Sequence, residues 1–194
     1  MANEFAFLES PSSEVAPQLL GCMLEFGEGD NRHRVRIVEV EAYDQTDVAS
    51  HSYRGETERT RVMFGPAGYL YVYFTYGMHY CMNVVVGQKG EGAAVLIRAV
   101  EPVNEDAQAA LRMRRNKSGI ELTNGPAKLC QALGVTKAMN GHDLSMPPLR
   151  LIKGGLNKKD AVVVTTRIGI REGKDVPWRF YIKGNPYVSV AEAK

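Results

Sequence analysis

Apolar and polar positions alternate like strands over the first half of the chain and recur at helical spacing later. Ser12, Ser13 and Glu14 lead into VAPQLLG, a short helical signal with a polar cap and Gly21 at its end. A strand is expected at Met23–Phe26, then a turn rich in Gly, Asp and Asn. Residues 34–43 (RVRIVEVEAY) are rich in Val and Ile with partial alternation, which predicts a second strand carrying Glu39 and Glu41. The polar, irregular stretch 44–61 is the candidate functional loop. Residues 69–76, 80–86 and 93–100 predict three more strands, the first two joined at Gly77 and the last two through GQKGEG, as a hairpin meander. Helical composition follows at 104–115 and 125–133, the latter with Pro126 just inside its start and Gly134 just past its end. The tail reads as short strands at LRLI, AVVVTTRIGI and RFYIKG. The expected fold is α+β: a single domain, residues 1–194, with a curved, mainly antiparallel mixed sheet, flanking helices and a protruding β-hairpin.

Within 69–76, Tyr69, Tyr71, Tyr73 and Thr75 share one face of the strand, while Leu70, Val72, Phe74 and Tyr76 share the other. The second set is what a core requires. The tyrosine face is amphipathic, with rings suited to stacking and hydroxyls that need partners. Five tyrosines fall within residues 69–80 of a chain that is only 8% aromatic, a concentration greater than one core usually needs. Tyr76 adjoins Gly77 at the expected hairpin tip, where a ring gains little burial from its own fold; a step between stacked bases is one slot it would fit.

Composition narrows the class without naming it. With 194 residues, 44% apolar, 24% charged and a net charge of +2, the chain has the profile of a soluble globular protein of one domain. Basic residues gather at Arg54, Arg59 and Arg61, at Arg112, Arg114, Arg115 and Lys117, and at Lys153, Lys158 and Lys159; each run alone reads first as a solvated face. Cys22, Cys81 and Cys130 are scattered, so neither a disulfide framework nor a zinc site is expected, and the compartment is expected to be reducing. His33, His51, His79 and His142 form no metal-binding spacing. No leader-like or membrane-length apolar run occurs, so an intracellular setting is expected, bacterial cytoplasm with its nucleoid or a eukaryotic nucleus.

Five residues stand out chemically. Strand interiors disfavour Glu, so Glu39 and Glu41 need a reason. One is an ion pair with Arg36 or Arg98; the other is a carboxylate beside a pocket that takes a proton from water and stabilises a developing sugar cation. Arg98 interrupts the apolar VLIRAV and must be paired or reach a site. Asn83 interrupts MNVVV and needs hydrogen-bond partners if buried. His51 fits a general acid, a ligand or a hydrogen-bonding residue. The start of the 125–133 helix, with Lys128 nearby, suits an anion such as phosphate, although ordinary capping accounts for it equally.

Taken in order, VEAYDQTDVASHS, MFGPAGYLYVYFTYGMHYCMN, AAVLIRAVEP, NGPAKLCQALG and RFYIKGNPYVSV resemble the alkyladenine (3-methyladenine) DNA glycosylase family over residues 11–190. The resemblance implies monofunctional excision of alkylated purines such as 3-methyladenine and 7-methylguanine, and of deaminated or etheno-bridged purines such as hypoxanthine and ethenoadenine, from double-stranded DNA, with no metal or cofactor. By that resemblance Glu41 is the general base, and Arg98 and the Ile168 carbonyl help to hold the attacking water. Tyr43, His51 and Tyr73 are the aromatic walls around an extruded base, and Asn83 crowds the exocyclic amine of ordinary guanine. Tyr76, with Gly77 and Met78 after it, enters the duplex and fills the gap left there, while Arg59, Arg61 and Lys128 are candidates for the DNA backbone.

The loop between Tyr43 and His51 is one residue shorter than in vertebrate members, and His79 stands where relatives more often carry an aromatic residue. The absence of a long N-terminal extension fits a bacterial member better. A monomer is expected, since nothing points to an obligate dimer. Two other readings stay open at this level: a non-catalytic RNA or single-strand binder with an aromatic platform, and an oligosaccharide hydrolase using Glu39 and Glu41. A helix-hairpin-helix glycosylase is disfavoured, because LTNGPAKLCQALG has no convincing Gly-x-Gly hairpin.

Overall fold

The spine of the protein is β2 (His33–Tyr43), the long Val- and Ile-rich strand. The computed structural model describes residues 5–75 and 77–189. One edge of β2 pairs with β5 (Ala94–Pro102); the other is shared by β1 (Met23–Phe26), opposite residues 33–36, and β8 (Arg179–Ile182), opposite 39–41. The sheet runs β3 (Leu70–Thr75), β4 (His79–Val85), β5, β2, β1, β6 (Leu149–Ile152), with β7 (Val162–Thr165) joined to it through β8. Because one strand serves two partners along a single edge, the sheet curls instead of extending flat. The expected α+β fold with a curved, mainly antiparallel sheet is what is found; only its mixed character is corrected, since among the described residues every strand pairing is antiparallel. The helices pack on one face and do not serve as the crossovers that parallel neighbours require.

That face is the core. Val15, Ala16 and Leu19 of α1 (Ser12–Leu19), Leu111 of α2 (Glu105–Arg114), and Leu129, Cys130 and Leu133 of α3 (Pro126–Leu133) close on Val38, Val40, Val84, Val95 and Ile97 in one apolar cluster. Capping follows the sequence at two of the three helices. Asn104 accepts from the Ala107 amide at 2.8 Å, and α3 has Pro126 in its first turn and Gly134 at φ +75° behind it. The polar cap expected on α1 is absent: Pro11 holds the cap position, Ser12 lies inside the helix fully buried, and its Oγ has no hydrogen-bond partner. Gly21 ends that segment because the chain crosses itself there; a Cβ would sit 2.2 Å from the Gly155 carbonyl oxygen.

Two further departures concern β3 and the tail. Leu70 and Val72 enter the core as expected, but Phe74 is half exposed and packs on Tyr80 at 5.2 Å. The cause is pairing range: β4 meets β5 only over Asn83–Val85, so beyond that level β3 and β4 project as a bare two-stranded hairpin. Gly77, at φ +68° with open space around it, suits the turn at its tip, whereas Tyr76 lies outside the described residues. In AVVVTTRIGI only residues 162–165 form a strand; RIGI leaves the sheet because Arg167 is drawn into a buried ion pair. No described helix is long and apolar enough to cross a membrane.

Candidate active site

The face of the sheet opposite the helices holds a cavity of about 420 Å³, and strand register explains its floor. Glu41 lies opposite Leu96, Leu96 opposite Asn83, and Asn83 opposite Tyr71, so one residue from each of four strands forms a row. Tyr73 and Cys81 begin the next row. The β2–β5 register slips by one residue at Val38 and again at Arg98. Bulges of this kind re-aim side chains, and Arg98 points into the cavity beside Glu41 while Ile97 and Ala99 stay in the core. The walls come from outside the sheet: residues 48–51 of the loop after β2, Met63, Pro126 at the start of α3, and residues 168–172.

Glu41 is fully buried, and three partners hold it in place. Its Oε2 accepts the Tyr43 hydroxyl at 2.8 Å, its Oε1 accepts the Ile168 amide at 2.8 Å, and Arg98 Nη1 stands 3.2 Å from Oε1. A dry carboxylate is tolerated only with such donors. Burial and the adjacent Glu41 raise the Tyr43 pKa, so its hydroxyl stays protonated and remains a donor. Burial works against the Arg98 cation, but Glu41 and Glu39 outweigh it and raise the arginine above its ordinary value. Of the two ion-pair partners considered for the glutamates, Arg98 is therefore the one used. Arg36 turns instead to Glu101, its cross-strand neighbour, and to Asp160.

The aromatic residues form a second group. The Tyr71 and Tyr73 rings are stacked at 5.8 Å, and the His51 ring stands edge-on to Tyr73 at 4.6 Å. His51 Nδ1 lies 3.1 Å from the Tyr71 hydroxyl, and Arg59 approaches Nε2 at 3.4 Å. Although part of the ring is exposed at the mouth, burial of the rest and the Arg59 charge lower its pKa from 6.5 to about 4. The imidazole is therefore neutral at pH 7. With Arg59 donating to Nε2, the proton belongs on Nδ1, where it is given to Tyr71; such a ring serves as a wall better than as an acid. Burial, and then Cys81, also raise the Tyr73 pKa. Asn83 is buried and donates to the Tyr71 carbonyl at 3.1 Å.

The sequence profile of the family described as Methylpurine-DNA glycosylase (MPG) matches residues 6–186. The chain belongs to this family. It is 52% identical over 176 residues to a protein of Carboxydothermus hydrogenoformans, covering 90% of this chain and 92% of that one. It is 49% identical over 189 residues to one of Methanoculleus marisnigri, covering 95% and 96%, and 45% identical over 190 residues to one of Burkholderia cenocepacia, covering 96% and 90%. Each of these relatives bears the name "Putative 3-methyladenine DNA glycosylase". The protein is accordingly a DNA glycosylase, with DNA as its substrate.

In this DNA glycosylase, Glu41, Tyr43, His51, Tyr73, Asn83, Arg98 and Ile168 all line one cavity. Other expected site residues lie elsewhere. Arg59 is at the mouth, 5.9 Å from the Tyr73 ring centroid, and Arg61 is exposed at the start of the turn Arg61–Phe64. Lys128 is engaged internally, donating to Glu121 at 2.9 Å and Asn124 at 2.7 Å, so a phosphate would have to compete with Glu121 for it. Gly77 and Met78 are exposed on the hairpin. Among the described residues no three His, Cys, Asp or Glu side chains cluster as a metal site would need.

Sequence reasoning passed over Asp47 and Arg167. Buried Arg167 pairs with Asp47 of the 44–61 loop, donates to the Ala42 carbonyl at 3.1 Å, and lies over the Tyr43 ring at 4.7 Å. It thereby ties the loop bearing His51 to the segment bearing Ile168. The signal was the same one that marks Arg98, an arginine inside an apolar run.

Proposed function

We propose that this glycosylase is monofunctional: it flips alkylated purines, 3-methyladenine and 7-methylguanine, with hypoxanthine and ethenoadenine as further candidates, out of duplex DNA and hydrolyses their bond to the sugar in base excision repair. The observation that carries this reading is one fully buried carboxylate, Glu41, beneath a cavity walled by Tyr43, His51 and Tyr73. Glu41 takes a proton from water as its oxygen bonds to C1′; the electrons of the N-glycosidic bond leave with the base, and an abasic sugar remains. Arg98 and the Ile168 carbonyl complete the water's surroundings. N-alkylation makes the base cationic, and tyrosine faces favour such a base by about 0.5 to 2 kcal/mol. Extrusion costs less where damage has already weakened pairing, so flipping contributes to selection. Asn83, tethered at the floor, bars the exocyclic amine of ordinary guanine.

Tyr76, Gly77 and Met78 enter the duplex and fill the vacated step. Arg59 and Arg61 hold phosphates, and Lys128 joins them by exchanging Glu121 for DNA. The whole chain acts as one domain and as a monomer, in the bacterial cytoplasm at the nucleoid. The oligosaccharide-hydrolase reading is disfavoured because Glu39 does not line the cavity and is saturated by Arg98, Arg179 and Ser189. The deciding experiment is incubation of purified protein with methylated duplex in the presence of chelator. Free 3-methyladenine or 7-methylguanine and abasic sites that break only on alkaline treatment are expected. Direct strand nicks, or binding without release, would overturn the reading.

A further inference from the structure

The Arg98 guanidinium is held on three sides, and only one of them faces the cavity. Nη1 meets Glu41; behind it, Nε donates to Glu39 Oε1 at 3.0 Å and Nη2 donates to Ser189 Oγ at 3.2 Å. Neither Glu39 nor Ser189 lines the cavity. Glu39 is fully buried, and the same Oε1 accepts Arg179 Nε at 2.8 Å and the Ser189 hydroxyl at 2.9 Å, while Oε2 accepts the Ser189 amide at 2.6 Å. The Ser189 hydroxyl thus gives its one proton to Glu39 and offers a lone pair to Arg98. A guanidinium is a planar fork. Contacts at Nε and Nη1 alone leave its plane free to tilt, and the third, at Nη2, fixes it. Arg98 sits on a bulge, where the ladder constrains its direction least, so the plane has to be set by such contacts.

We propose that Ser189 is a positioning residue for excision: together with Glu39 it sets the plane of the Arg98 guanidinium and, through it, the placement of the Glu41 carboxylate. The inference rests on the glycosylase reading of the cavity. Ser189 touches neither base nor water, and it lies on the segment after β8, 148 residues from Glu41 in the chain (189 − 41).

The test uses the full chain with Ser189→Ala, Ser189→Thr and Arg98→Lys, and measures single-turnover release of 7-methylguanine from methylated duplex at saturating enzyme. Ser189→Ala should slow release about tenfold, with affinity for the same duplex and the thermal midpoint close to wild type. Ser189→Thr, which keeps the hydroxyl, should recover most of the rate. In the Arg98→Lys background, which has no fork to orient, Ser189→Ala should cost nothing more, whereas general weakening of the fold would multiply the two losses. The inference is overturned if Ser189→Ala turns over at the wild-type rate, if threonine is as slow as alanine, or if the penalties multiply. Wild-type protein that releases no base from methylated duplex overturns the glycosylase reading and this inference with it; active wild type with an unimpaired Ser189→Ala overturns the positioning role alone.

Discussion

The cavity floor and the tip of the β3–β4 hairpin invert the usual sorting of residues in opposite senses. At the floor and just behind it the charged groups are dry: Glu41 and, behind Arg98, Glu39 are fully buried, and Arg98 is 6% exposed. On the hairpin the apolar groups are wet: Phe74 is 50% exposed and Met78 70%. Neither arrangement is what folding alone favours. The floor holds its charges because hydrogen bonds from Tyr43, Ile168, Arg179 and Ser189 converge on the Glu39–Glu41–Arg98 group; the hairpin holds its apolar side chains out because no third strand reaches that far. The first is a fixed arrangement whose value is geometric, and the second is apolar surface left in solvent, which the proposed insertion into duplex DNA would cover. Mutations should therefore fail in different ways in the two places: in chemistry and stability on the floor, in duplex binding at the tip.

The largest effect expected is that of Glu41→Gln. It nearly preserves shape, its oxygen can keep the Ile168 and Arg98 contacts while its NH2 turns the Tyr43 hydroxyl from donor to acceptor, and it removes the proposed base, so release of methylated purines should fall on the order of 10² to 10⁴-fold while binding to damaged duplex survives. Single-turnover release beside a gel-shift titration measures both. Unchanged turnover would remove Glu41 from the chemistry and erase the distinction between floor and tip.

Next comes Asp47→Ala, which leaves the Arg167 guanidinium buried without its carboxylate. A broken buried pair costs roughly 3 to 5 kcal/mol. Urea unfolding should show that loss, and because the pair ties the His51 loop to the Ile168 segment, excision should fall with it. A loss below about 1 kcal/mol, as for a surface pair, would mean that the two segments are held by something else.

What could be read in the sequence divides along physical lines. Strands and helices were legible because period and caps are local, and the cavity floor was legible because Glu41, Asn83 and Arg98 are polar residues set inside apolar strands. Arg167 gave the same kind of signal in TTRIGI but was read as part of a strand. Ser189 gave none: a serine near a chain end is unremarkable until β8 carries it back to β2. The exposure of Phe74 was hidden because alternation tells which face a residue occupies and says nothing about how far the neighbouring strand extends. That Lys128 already has a partner is not legible, because Glu121 belongs to a 3-10 turn, Gly119–Leu122, with no sequence pattern of its own.

At the hairpin, Met78→Ala should leave stability within about 0.5 kcal/mol of wild type but weaken duplex binding by about 1 kcal/mol, roughly fivefold in Kd. Tyr76→Ala should weaken it further, since a stacked ring contributes about 1 to 3 kcal/mol. Both losses should vanish on a free methylated nucleoside, which has no step to fill. Equal penalties on nucleoside and duplex would place these side chains at the base itself, and the contrast with the floor would fail.

The smallest effect expected is a pH dependence at the boundary of the two regions, where His51 lines the mouth of the cavity. Its pKa is lowered from 6.5 to about 4 by burial and then by Arg59. The unfolded chain therefore binds the proton more readily, and between pH 6.5 and about 4 it carries more protons than the folded one at this site. The contribution to stability is fully present above 6.5, declines as pH falls through that window and is gone below about 4. Because the ring is partly exposed, the slope should be shallow. The sharper measurement is nitrogen chemical shifts of the imidazole: at pH 5.5 His51 should still be neutral and protonated on Nδ1, where an ordinary imidazole is mostly cationic. An Arg59→Ala variant should bring its titration back toward neutral pH. A His51 that is already cationic at pH 5.5 would mean that the mouth of the cavity is as wet as the hairpin, and that His51 carries a charge able to repel an alkylated base.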